Sequence, residues 1–131
     1  MTALVDTNVL VRHFTGEPPE LARRATAFLR AAGPEQLVLV DLVAAELVFV
    51  LQSVYRQPRA RVAPLLRAVL GLPAVRCETA SLLHRSLELY EAGMDFTDAY
   101  LVATGEAQGI PEIVSFDRGI RNVPGVRRIE P

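Results

Sequence analysis

Two rhythms alternate along this chain: short continuous apolar runs and longer stretches with helical spacing. "ALV" (residues 3–5), "QLVLV" (36–40), "AVRC" (74–77), "EIVSF" (112–116) and the weaker "VRRIE" (126–130) have the length of buried strands. Helical stretches separate most of them. "TNVLVRHF" (7–14) follows the first strand. "PPELARRATAFLRAA" (18–32) has Pro at its start, Glu20 in its first turn and Gly33 beyond its end, a capped amphipathic helix. A helix around Glu46 follows the second strand. Another at "ARVAPLLRAVLG" (60–71) is expected to hold Pro64 in its first turn. "TASLLHRSLELYEAG" (79–93) has Thr79 as N-cap and Gly93 as stop, and "DFTDAYLVATGEAQG" (95–109) is the last helix. Short strands joined through helices predict parallel pairing, because a parallel neighbour needs a crossover connection. The expected fold is α/β: a three-layer α/β/α sandwich with a mostly parallel sheet of four or five strands. No repeat, low-complexity stretch or linker interrupts it, so residues 1–131 are expected to form one domain.

One position breaks the pattern. In "LVAAELVFVLQSVY" (42–55), Glu46 stands alone among Leu, Val, Ala and Phe. Its neighbours one helical turn away, Leu42, Val43, Phe49 and Val50, are all apolar. The expectation is a carboxylate that is buried or lines a pocket, where an unpaired charge is costly.

Composition narrows the function. Half of the residues are apolar, enough for a full core, and the net charge is -1. That argues against tight non-specific nucleic-acid binding, which rests on many phosphate contacts. It leaves room for an enzyme that grips a nucleic acid at a few points. The single cysteine, Cys77, permits no internal disulfide and fits a reducing, cytoplasmic setting. "MTALVDTNV" lacks the basic start of a secretory leader, and the longest apolar run is broken by Asp41 and Glu46, so no membrane span is expected.

The five aspartates fall at informative places. Asp6 and Asp117 end apolar strands, Asp95 and Asp98 open a helix, and Asp41 follows "QLVLV". In open parallel sheets, ligands bind at the carboxyl ends of the strands. Asp6, Glu46, Asp98 and Asp117 are therefore expected to converge at one edge. At about 5 Å and an effective dielectric near 20, each like-charge pair would cost roughly 3 kcal/mol. Such a cluster needs protons or a divalent cation, and an all-oxygen donor set favours Mg²⁺ or Mn²⁺ over zinc. Each acid also has a purely structural reading. Asp6 can cap the helix after it, Asp95 can be an N-cap with Asp98 as its box partner, and Asp117 can shape a turn. His84 reads as a packed structural residue and "RQPRAR" (56–61) as solvated surface.

These segments resemble the PIN-domain ribonucleases, and within them the VapC-like toxins of type II toxin–antitoxin pairs. "LVDTNVLV" is similar to the family's opening motif, with Asp6, Thr7 and Asn8. "AAELVFVL" resembles the helix carrying the family's glutamate, here Glu46. "DFTDAYLVATGEAQGI" resembles the third motif, with Asp98 at the acidic position. "IVSFDRGIRNVPGV" resembles the closing motif, with Asp117 as the fourth acid and Ser115 two residues before it. The resemblance implies a metal-dependent endoribonuclease that cleaves RNA, a cognate antitoxin and a homodimer. It implies Asp6, Asp98 and Asp117 as main Mg²⁺ or Mn²⁺ ligands, with Glu46 acting through water or helping to deprotonate the nucleophile. Thr7, Asn8, Ser115 and Asp95 would support them. Arg118 and Arg121 would grip substrate phosphate, or serve only as surface arginines. Asp41 has no counterpart in the motif, and Gly105 interrupts the Asp98 helix at about 1 kcal/mol relative to Ala.

Three other readings compete. A phospho-receiver domain also places acids and Mg²⁺ at strand ends, but it needs a lysine and the chain has none. A non-catalytic PIN-like binding module would only dock a partner. A stand-alone RNA-processing nuclease could share all four motifs.

Overall fold

The computed structural model describes residues 2–131, which divide into two compact units, one ending at Thr79 and the other beginning at Ala80. Among the described residues every expected strand and helix is present. The first unit contains β1 (Ala3–Leu4), α1 (Thr7–Thr15), α2 (Pro19–Ala31), β2 (Leu37–Val38), α3 (Asp41–Ser53), α4 (Arg59–Leu70) and β3 (Val75–Arg76). The second contains α5 (Ala80–Glu91), α6 (Phe96–Gln108), β4 (Glu112–Val114) and β5 (Arg127–Ile129).

All strand pairs are parallel, as the alternation predicts. They form two small sheets: three strands in the order β1-β2-β3, and the pair β4-β5. The regular strands are shorter than the apolar runs, but the bonding continues beyond them. Ala3 N–H donates to Gln36 O (2.8 Å), Val5 N–H to Val38 O (3.1 Å) and Leu39 N–H to Arg76 O (2.9 Å). In the second unit Ser115 N–H reaches Ile129 O (3.0 Å), carrying the ladder past the end of β4.

Helical stripes face inward at the expected spacing. On α3 the buried residues are Ala44, Leu47, Val48 and Leu51, an i, i+3, i+4, i+7 series. α1 packs on α2 and α3, and α3 on α4. In the second unit α5 packs on α6, and Leu83, Leu87 and Tyr90 are fully buried with Ala99 and Val102. Tyr90 meets Phe96 edge-on, with ring centroids 6.1 Å apart. No helix among the described residues is long and apolar enough to cross a membrane.

Several local expectations change. Pro64 lies inside α4, not in its first turn, because the helix begins at Arg59 directly after Pro58. Its missing N–H removes one helical bond, and the buried Val62, Ala63 and Leu66 hold the helix around it. The hydroxyl of Thr79 donates to the carboxylate of Asp41, which gives that unmatched acid a structural partner. Gly105 has a packing reason: a Cβ there would lie 2.8 Å from the carbonyl oxygen of Ile110, so α6 could not close on the segment leading into β4.

Glu46 is the largest correction. It is exposed, with Leu42 at 77% and Phe49 at 63% of full exposure beside it. At about 100° per residue, Glu46 lies roughly opposite the inward stripe, and Leu42 and Phe49 share its outer face. The desolvation problem posed by its neighbours therefore does not arise. This orientation predicts that Leu47→Ala lowers the unfolding free energy by about 2–5 kcal/mol through the cavity it leaves. Phe49→Ala, two residues on, should stay within about 0.5 kcal/mol. Urea melts of the two variants test it, and equal costs would mean the helix is turned otherwise.

Candidate active site

In the second unit the turn after β4 carries Asp117. Its N–H donates to the hydroxyl of Ser115 (2.9 Å), and its Oδ1 accepts from the N–H of Gly119 (2.8 Å). These two local bonds are the turn chemistry that Ser and Asp favour, and they fix the direction of the carboxylate. The Ser115 carbonyl in turn accepts from Nη1 of Arg128 (2.9 Å). The expected supporting role of Ser115 thus has a bond to carry it. Ile120, buried, anchors the far side of the turn.

Asp98 approaches from the first turn of α6. It hydrogen-bonds to Asp117, and its pKa is raised from 3.8 to about 6, first by burial, then by that bond and by the charges of Asp117 and Asp95. Two carboxylates at hydrogen-bonding distance cannot both carry full charge cheaply, so Asp98 holds its proton up to about pH 6. Asp95 occupies the N-cap position of α6 without a side-chain cap bond. The expected capping box with Asp98 is therefore absent: Asp98 turns to Asp117 instead. A Cβ added at Gly119 would lie 3.0 Å from Asp117 Oδ1 and 3.8 Å from Asp98 Oδ2. Gly119 is thus the backbone floor between the two acids, a role visible in the sequence only as the glycine of "FDRG".

The two arginines differ. Arg118 is exposed. Arg121, also exposed, donates from Nη1 to the carbonyl of Ala92 just past the end of α5 (2.6 Å).

In the first unit Asp6 follows β1 and sits at the N-cap position of α1, exposed and again without a side-chain cap bond. Asn8 is exposed, whereas Thr7 is buried and its hydroxyl lacks a hydrogen-bond partner. The expected Thr7 support for Asp6 is not made through that oxygen. An orphaned buried hydroxyl next to an acid costs about 1–3 kcal/mol unless water satisfies it. A cleft of 560 Å³ borders Asp6 and Asn8, with Leu21 and Phe28 of α2 and Arg12 of α1 along its sides. Glu46 stands on the outer face of α3.

Among the described residues no group of three or more His, Cys, Asp or Glu side chains is gathered closely enough to hold a metal ion. The donor set that is gathered, Asp98 with Asp117, fits Mg²⁺ or Mn²⁺. Magnesium is commonly held by one or two carboxylates and completes its shell with water and substrate oxygens. A cation there would favour the ionised form of both carboxylates.

A family model described as the PIN domain matches residues 3–126, and the chain belongs to that family. A comparison with curated proteins returned no match. PIN domains are generally nucleases and typically use divalent metals.

The raised Asp98 pKa predicts a pH dependence in metal-free protein. A carboxyl that holds its proton more tightly folded than unfolded adds stability that is full below its ordinary value of 3.8. That contribution is lost as pH rises through about 6. Asp98→Asn should flatten the decline between about pH 4 and 7 and should be the more stable protein at pH 7.5 in EDTA. Thermal melts across that range check the sign.

Proposed function

We propose that this PIN-domain chain is a Mg²⁺- or Mn²⁺-dependent endoribonuclease, and that it is the toxin of a toxin–antitoxin pair. The observation that carries the nuclease reading is the Asp98–Asp117 pair, with Asp117 held by the turn bonds to Ser115 and Gly119 and Asp98 hydrogen-bonded to it. When bound, the metal supplies a lowered pKa for a water nucleophile and charge neutralisation at the phosphoryl oxygens. The chain's own part is positional and protonic. Gly119 N–H occupies one lone pair of Asp117 Oδ1 and aims the carboxylate. Asp98 and Asp117 would hold the cation with both carboxylates ionised. In this reading Asp6 and Glu46 serve the same reaction, Asp6 as a ligand and Glu46 by holding or accepting a proton from the attacking water. Arg118 contributes positive charge toward substrate phosphate.

The toxin assignment rests on the motif resemblance and on the cleft beside Asp6, whose apolar lining includes Leu21 and Phe28, both exposed. An antitoxin segment would seat apolar side chains there and extend an Arg or Lys toward the acids, in competition with the metal. We further propose a homodimer and an RNA substrate.

Four substitutions test the catalytic reading. Asp98→Asn and Asp117→Asn should each lower RNA cleavage at least about 100-fold, and saturating Mn²⁺ should no longer raise their melting temperature. In the wild type, metal at about 100 times its Kd should stabilise by about 2.7 kcal/mol. Asp6→Asn should lose cleavage similarly. Glu46→Gln should melt within about 0.5 kcal/mol of wild type, as an exposed position allows, yet lose most cleavage. Full cleavage by Glu46→Gln would remove it from the mechanism. Unchanged melting of the wild type with Mg²⁺ and Mn²⁺, together with no RNA cleavage, would sink the nuclease reading and favour a non-catalytic docking module.

The partner is tested separately by co-expression with the neighbouring reading frame. The purified complex should be inactive, and millimolar Mg²⁺ should partly restore cleavage. A fully active complex, or no complex, would favour a stand-alone RNA-processing nuclease.

A further inference from the structure

Arg121 was expected either to grip substrate phosphate or to be a surface arginine, and its guanidinium bonds a backbone carbonyl. α5 ends in a Schellman turn: Gly93 N–H bonds Tyr90 O (3.0 Å) and Met94 N–H bonds Leu89 O (3.2 Å), with Gly93 at φ +118. Met94 and Leu89, both buried, supply the apolar contact that accompanies this motif. The motif leaves the carbonyl of Ala92 facing outward, and Arg121 Nη1 donates to it at 2.6 Å. A cation at the carboxyl end of a helix also meets the negative end of its dipole.

A second, independent feature marks the same contact. A Cβ at Gly93 would lie 2.8 Å from Arg121 Nη2 and 3.2 Å from its Cζ. Glycine at this corner serves both the left-handed backbone and the passage of the guanidinium across it. The corner is two residues before Asp95 and five before Asp98. Arg121 is four residues past Asp117 on a turn pinned by Ile120. The Arg121 contact therefore joins the two segments whose carboxylates meet.

We propose that Arg121 is a positioning residue: by clamping the Asp117 turn to the α5–α6 corner, it sets the spacing of Asp117 against Asp98 and so that pair's affinity for a divalent cation. This rests on the metal-dependent reading above. Two neighbouring carboxylates repel, and the clamp opposes their separation. It acts through the backbone, so its side chain need not touch metal or RNA.

The test is direct Mn²⁺ binding to the full-length chain, followed by electron paramagnetic resonance, with wild type, Arg121→Met, Arg121→Lys and Asp117→Asn. One exposed charge-assisted bond should be worth about three- to tenfold in affinity. Arg121→Met should bind Mn²⁺ that much more weakly, Arg121→Lys should recover part of the loss, and Asp117→Asn should lose most binding. If Arg121→Met does not fold, the lysine variant carries the same comparison. A phosphate contact gives a different signature: binding of a single-stranded RNA in EDTA would lose about one unit of salt slope. The clamp predicts an unchanged slope. Mn²⁺ affinity within twofold of wild type in the arginine variants, with Asp117→Asn defective, overturns the clamp and leaves the site standing. Wild-type Mn²⁺ affinity in Asp117→Asn overturns both.

Discussion

The second unit is arranged around one unfavourable interaction, the approach of Asp98 to Asp117. Burial and the neighbouring carboxylate both oppose ionisation of Asp98, and its pKa is raised to about 6. A chain gains nothing in stability from such a pair, since burial and like charge both oppose ionisation. Yet the surrounding structure enforces it. The Asp117 carboxylate is aimed by Gly119 and its backbone is held by Ser115, while Asp98 arrives on a helix anchored by buried Phe96 and Ala99. Groups held against their electrostatic preference are where functional sites are found, because a cation or a transferred proton repays the cost.

Much of the fold was legible because it follows from period alone. Every expected strand and helix occurs within about two residues of its sequence limits, and Gly16, Gly93 and Gly109 each take the left-handed or extended-positive backbone that ends a helix. The split into a three-stranded and a two-stranded sheet was not legible: apolar runs report that a strand forms, not which strands bond, and not that it is buried, since Leu4 of β1 and Val114 of β4 are exposed. Pro64 was misplaced because its helix begins after a proline that itself resembles a loop residue.

The site was legible in its residues more than in its contacts. "FDRG" and "DFTD" pointed to Asp117 and Asp98, and the structure joins them. Glu46 was misread because every neighbour was apolar, so composition hid the helix phase. The periodic set Ala44, Leu47, Val48 and Leu51 already pointed inward, which left Glu46 outside. Arg121 is at the surface, one of its two expected readings, but its bond could not be read, because the partner is a backbone carbonyl 29 residues away. No side-chain pattern encodes such a contact; the only trace in sequence is a glycine at 93 that a helix stop would explain equally well.

The helix starts make a related point. Asp6 and Asp95 both occupy N-cap positions with extended backbone, the placement in which aspartate would normally bond the first free N–H groups. Neither side chain makes that bond. A filled cap is worth about 1 kcal/mol, so each helix forgoes stabilisation that a small rotation of the carboxylate would recover. α1 and α6 are held instead by their buried stripes, Leu10 and Val11 on one, Phe96, Ala99 and Val102 on the other. With packing securing both helices, their leading acids are released from capping. At Asp95 that charge instead acts on Asp98, raising its pKa in concert with Asp117. Local propensity places these aspartates at the helix starts, and tertiary packing holds the helices without their caps.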